Sequence, residues 1–331
     1  MLACGGDPPP VKNPDPPLDN RPAKPPVRTP LTFNSAVQAF EAGNLPEAKK
    51  GFQEAIAEVP FHAESHAYLG LIAEKEGDAK GAETHYVEAL KFKHELESAA
   101  ENLSALYIDQ SRFQEAVRVA DAALKIHPEN AALHLNMGIA LASTGDAFAA
   151  EQFDLALKGA PKDPTVYLTA GHWLGVLKKT DDAKAKLKSA SALVPQSPAA
   201  VPVLAAIGHE FRLIGAFPEC VETLDKAVVQ KDVAELRTDR ALCKMGQKDD
   251  EGTRADLEAA IKADPKYGPA HFYLAGRLAQ GGKLKEAQKE YEAFIAIAPN
   301  SPMAKQAQDR IQLIKEQIKN PPKNAPKKPA K

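Results

Sequence analysis

Apolar positions along the chain recur in steps of four and three, and the whole pattern returns every 34 residues. Three segments show it: GNLPEAKKGFQEAIAEVP from Gly43, GDAKGAETHYVEALKFKH from Gly77 and SRFQEAVRVADAALKIHP from Ser111. Each places alanine five residues in (Ala48, Ala82, Ala116). An apolar residue follows four later (Phe52, Tyr86, Ala120), and alanine returns after three more (Ala55, Ala89, Ala123). Steps of this size keep one face of a helix turned toward a neighbour. Five residues beyond the last alanine stands Pro60, His94 or Pro128, and proline stops a helix. Upstream of each small residue lies another helix of the same kind, as in SHAYLGLIAEKEG, where Leu69, Gly70 and Ala73 share a face.

A 34-residue pair of helices with small residues at the contact resembles the tetratricopeptide repeat (TPR) family, whose units are antiparallel helix pairs. The pattern continues through Gly138, Gly145, Ala149, Phe153, Ala156 and Pro161, with that loop one residue short. It resumes at Gly171, Ala183, Leu187, Ala190 and Pro195, and again at Gly282, Ala287, Tyr291 and Pro299. Two repeats are less regular. In 201–234, Pro202 intrudes early and Asp232 replaces the terminal proline. In 235–267, Gly252 and Thr253 occupy the alanine site, which predicts a second helix starting one or two residues late. The resemblance implies an all-α fold, an α-solenoid of about eight helix-turn-helix repeats over 29–301. Residues 302–320 then read as a C-terminal capping helix, because a stack of repeats leaves an open apolar end and Ile311, Ile314 and Ile318 recur at helical spacing.

Composition changes the picture at the ends. Of 27 prolines, ten fall within 8–30 and four within 321–329. Residues 1–28 are therefore expected to form a proline-rich tether, and 321–331 a basic disordered tail. A formal net charge of −2 offers no electrostatic footprint for nucleic acid.

Candidate chemistry is sparse. The run HAESH puts His62 and His66 one helical turn apart, but Glu64 is one place too late for the zinc-protease spacing and no third ligand is apparent. His66, His134 and His271 each precede the first-helix small residue by four, where the family usually holds an aromatic; Tyr167 fills that position in the fifth repeat. These histidines read as packing groups. Cys220 and Cys243 fall in neighbouring repeats and read as two small buried apolar side chains, with a disulfide left open for an oxidising compartment. No phosphate-binding, nucleophile-elbow or dinucleotide motif occurs, so neither enzymatic activity, a metal nor a cofactor is expected.

What remains is surface. First helices of this family line a concave groove, and the positions adjacent to the packing face are Phe33 and Val37, Ala67 and Leu71, Glu101 and Ala105, Leu135 and Ile139, Leu168 and His172, then Phe272 and Gly276, with His209 and Arg212 extending the row. It is mainly apolar and lacks the lysine and asparagine with which chaperone-binding relatives hold a terminal carboxylate. An extended or helical apolar segment of a protein partner is the expected occupant, unless these side chains pack too deeply to be reached.

The opening Met1-Leu2-Ala3-Cys4-Gly5-Gly6 resembles the end of a bacterial lipoprotein signal without its charged and apolar parts. That resemblance implies acylation of Cys4, the only route to a membrane expected here, and anchoring on the periplasmic side of the outer membrane. The functional expectation is a non-enzymatic scaffold or adaptor, an envelope lipoprotein assisting assembly of a complex such as a pilus secretin. The alternative is a cytoplasmic scaffold or co-chaperone without lipid. Oligomeric state is not legible.

Overall fold

The computed structural model describes residues 29–320; Cys4, the proline-rich 1–28 and the basic 321–331 lie outside the described residues. The described residues form seventeen helices: α1 (Phe33–Glu41), α2 (Leu45–Glu58), α3 (Ala63–Lys75), α4 (Ala79–Phe92), α5 (Glu97–Asp109), α6 (Phe113–Leu124), α7 (Ala131–Ser143), α8 (Ala149–Gly159), α9 (Pro164–Val176), α10 (Thr180–Leu193), α11 (Val201–Leu213), α12 (Phe217–Gln230), α13 (Ala234–Gly246), α14 (Asp250–Ala263), α15 (Gly268–Gln280), α16 (Leu284–Ile297) and α17 (Pro302–Lys319). The fold is an all-α solenoid of eight helix-turn-helix pairs ending in a final helix. The chain divides into two compact parts, Met1–Leu103 and Ser104–Lys331, and each is described by itself.

Both parts use the same pair geometry. A small residue on the first helix faces a bulky residue about sixteen positions later on the second. In Met1–Leu103 these are Ala36 with Phe52 and Gly70 with Tyr86. In Ser104–Lys331 they include Gly138 with Phe153, Gly171 with Leu187, Gly208 with Leu224 and Ala275 with Tyr291. The approach is tight: a methyl group built on Gly138 would fall 2.6 Å from a Phe153 ring carbon. Phe52, Tyr86 and Phe153 are fully buried, and each such ring contributes about 1.5–3 kcal/mol by leaving water.

Local signals set the boundaries. Asn44, Asp78, Asn130 and Asp249 accept backbone N–H groups of the following helix through their side chains, which satisfies donors a helix cannot pair internally. Within most pairs the turn is closed by a left-handed glycine such as Gly43, Gly77 or Gly145 (φ 77 to 78°). Ser111, Lys178 and Lys248 take the same conformation with a side chain present.

The two irregular repeats fold without interruption. Pro202 sits in the first turn of α11, after a single 3₁₀ turn at Pro198–Ala200, where its missing N–H costs no hydrogen bond. The expected late start of α14 is not observed, since α14 has fourteen residues, as α16 does. Thr253 takes the alanine site because its hydroxyl is satisfied by backbone carbonyls, that of Asp249 at 2.6 Å and that of Ala241 on α13 at 3.5 Å. Thr253 is 1% exposed.

Replacing Gly138 by alanine is expected to cost about 1–3 kcal/mol by overpacking against Phe153. The measurement is urea unfolding followed by far-UV circular dichroism, with helix content unchanged before the transition.

Candidate functional site

The histidines read as packing groups are buried, at 9% exposure for His66 and 7% for His134 and His271. They also share a hydrogen-bonding device. The Nε2–H of His66 donates to the carbonyl of Pro60 (3.3 Å), that of His134 to Pro128 (2.9 Å) and that of His271 to Pro265 (3.1 Å). Each acceptor is the proline closing the previous repeat, six residues back. A carbonyl can only accept, so Nε2 carries the hydrogen. The other ring nitrogen meets the second helix of its own repeat: His85 Nδ1 at 3.4 Å, Gln152 Oε1 at 2.8 Å and Glu290 Oε2 at 2.6 Å. One ring thus ties three segments together. At His271 the group on the second helix is a carboxylate.

In the seventh repeat Arg237 holds this position without a preceding proline. Its guanidinium grips Asp232 in two bonds of 2.5 Å and reaches Asp256 at 3.6 Å, nineteen residues on, the spacing of His66 to His85 and His271 to Glu290. Asp256 on α14 is 3% exposed. Burial pushes its carboxyl up, but hydrogen bonds from Arg240 (2.5 and 2.8 Å) and Lys244 (2.8 Å) prevail and hold it below the usual carboxylate range. Beside this network Cys220 of α12 and Cys243 of α13, both 0% exposed, are joined as a disulfide with Cα atoms 6.0 Å apart, within the bridging range. This corrects the reading of two free apolar cysteines. Helix packing brings together thiols that 23 residues separate in sequence.

The groove positions fall as follows. In Met1–Leu103, Phe33 and Val37 are half-buried and pack on the cluster of Phe52, Leu69 and Ile72, and Leu71 is half-buried. In Ser104–Lys331, Leu135 and Ile139 lie half-buried beside the Phe153 cluster, and Leu168 beside that of Leu187 and Leu204. Each shows one side to the core and the other to water. His172 contacts Glu210 (3.0 Å), and exposed His209 accepts from Arg212 (3.0 Å). Near these, burial and then Glu235 push the Asp239 carboxyl up, and Tyr267 is pushed up to about 12 by burial and then Asp239. Phe272 belongs to the core, its ring edge-on to Tyr273, Tyr291 and Phe294. It joins the groove residues only by lining a cleft of about 330 Å³ with Gly276, Arg277 and residues of α17.

His62 caps α3, its Nδ1 accepting from the Ser65 N–H at 3.2 Å. Among the described residues no group of three His, Cys, Asp or Glu side chains could hold a metal ion, and no helix is long and apolar enough to cross a membrane.

The Tetratricopeptide repeat profile matches residues 34–95, 103–164 and 254–302, just over half of the chain. The chain belongs to the tetratricopeptide repeat family. It is 24% identical over 247 residues to Stress-induced-phosphoprotein 1 of Caenorhabditis elegans, covering 72% of this chain and 74% of that protein. It is 28% identical over 132 residues to the Type IV pilus assembly protein PilF of Pseudomonas aeruginosa, covering 39% of this chain and about half (52%) of that one. A tetratricopeptide repeat protein from Parabacteroides merdae shares the fold with a TM-score of 0.51 at 16% identity, over 75% of this chain and 97% of the other. This TPR chain is a protein–protein interaction module.

The second-helix partners His85, Gln152, Glu290 and Asp256 escaped the sequence reading. Their fixed offset of eighteen or nineteen residues from the first-helix position is the signal that identifies them.

Stability of this TPR chain is expected to fall in acid before carboxylates titrate. Burial is the main cause lowering both His62 and His85, with the His66 charge lowering each further. The unfolded chain therefore takes up protons first. Stability is full above the ordinary histidine value of 6.5 and is lost as pH drops through the lower native values. Urea midpoints at pH 7.5 and 5.5 should differ more for the native chain than for the His62→Asn, His85→Gln double variant.

Proposed function

We propose that the protein is a scaffold that captures an extended or helical apolar segment of a partner on the exposed sides of its first helices. The observation carrying this is the row of half-buried apolar side chains in Ser104–Lys331, namely Leu135, Ile139 and Leu168, which the core leaves partly open to water. Apolar strips that remain open in this way mark interaction surfaces. The scaffold or co-chaperone reading without a lipid anchor is supported by the long similarity to Stress-induced-phosphoprotein 1, which spans most of both chains.

A second reading is favoured by a different observation. Buried disulfides persist in oxidising compartments, so the Cys220–Cys243 bridge supports an extracytoplasmic chain. In that reading Cys4 is acylated, the chain is held on the periplasmic side of a bacterial outer membrane, and it assists assembly of a complex there. Similarity to a protein named for type IV pilus assembly supports the same direction. Mass spectrometry of the native protein separates the readings: a lipid-modified Cys4 supports the second, and an unmodified Cys4 removes it.

Leu135→Glu with Ile139→Glu is expected to abolish capture of native partners in affinity purification while the helical circular dichroism signal stays intact. If the double variant unfolds, Leu135→Ser alone, which is smaller and uncharged, should weaken capture; unchanged capture removes these residues from the surface. Reduction with dithiothreitol should cost the wild type about 2–4 kcal/mol of stability and leave a Cys220→Ala, Cys243→Ala chain unchanged, read as the urea midpoint.

A further inference from the structure

The groove positions of the repeats carry no basic clamp, yet two arginines converge where the last repeat meets α17. The cleft of about 330 Å³ lies there, between α15 and α17, with Met245 of α13 at its edge. Its apolar lining includes Phe272, Ile314 and Leu313, the last 52% exposed. Arg277 and Arg310 line the cleft together with Gln280, Gln306 and Gln317, and no acidic side chain does.

The two arginines are not equivalent. Arg277 is paired with Asp250, which lies outside the cleft lining, so part of its charge is already answered. Arg310 is exposed and makes no hydrogen bond or ion pair with any described residue. Arg310 lines the cleft with Tyr291. A guanidinium with its fork of donors free, beside an open leucine, matches a carboxylate carried next to an apolar side chain. The cleft is at the small end of ligand pockets, so it holds a few side chains and not a long segment.

We infer that this cleft binds an acidic peptide motif, an aspartate or glutamate within two residues of an aliphatic or aromatic side chain, with the carboxylate on Arg310 and the apolar group on Leu313 and Phe272. The inference rests on the chain being a peptide-capturing scaffold and adds a charged anchor at its C-terminal end. The final helix then supplies half of a binding site in addition to covering the last repeat. Arg310 lies outside the repeat register, which is why scanning equivalent repeat positions for a basic clamp misses it.

The test pans the full chain against a random dodecapeptide phage library displayed without free C-termini. Enriched sequences are resynthesised as amidated fluorescent peptides and measured by anisotropy. Expected are peptides with Asp or Glu beside Leu, Ile or Phe, at least tenfold weaker binding when the acid becomes its amide, and a similar loss in Arg310→Gln. Arg310→Glu should instead accept the matched peptide carrying lysine in place of the acid. Enrichment without acidic residues, or equal affinity for wild type and Arg310→Gln, overturns the inference. Peptides that depend on Leu135 and Ile139 but ignore Arg310 remove this cleft and leave the scaffold reading standing. Dependence on Arg310 without dependence on Leu135 and Ile139 does the reverse.

Discussion

The closest approach inside each helix pair is the constraint from which the remaining structure follows. Where Gly70 meets Tyr86 or Gly138 meets Phe153, the missing side chain lets the second helix press its ring against the backbone of the first. That contact fixes the separation and roll of the two helices. With them it fixes which side of the first helix is left over to face solvent. The positions beside the contact, Leu135 and Ile139 among them, are half-buried for this reason: they lie at the border of a seam that a glycine has drawn tight. Solvent-facing side and core are two sides of one packing decision.

Successive pairs are joined by a second device of different chemistry. The proline that ends a repeat leaves its carbonyl without a helical donor, and in three places a histidine six residues later supplies one. Histidine in a site the family usually gives to an aromatic ring therefore packs and also donates to that acceptor. The same ring then depends on what the second helix offers it. At His66 it is another imidazole, at His134 an amide and at His271 a carboxylate.

Much of this was legible in the sequence because it is periodic. The 34-residue return, the small residues and the closing prolines gave eight pairs and a final helix, all observed. The short loop near Gly145 reappears as spacings of fifteen and eighteen where other repeats show sixteen and nineteen. Failures came where one side chain does the work of another. Thr253 replaces alanine by turning its hydroxyl back to Asp249, and composition alone reads it as a delay in the helix. Of the surface, the half-buried state of Leu135, Ile139 and Leu168 follows from register, whereas Phe272 lies in the core because aromatic residues on α16 surround it. The C-terminal cleft was not legible, since it needs residues of α17 that belong to no repeat.

The joint between the sixth and seventh repeats stands apart. It has neither closing proline nor histidine, and it is held by Arg237 with Asp232 and by the sulfur bridge between α12 and α13. Elsewhere neighbouring pairs are fastened by packing, hydrogen bonds and single ion pairs such as Lys186–Asp154 and Arg277–Asp250. Here the fastening is partly covalent and partly ionic, and a reductant or concentrated salt acts on it directly. Oxidised, this joint carries a covalent cross-link between neighbouring pairs; reduced, it keeps only its ion pairs and its packing.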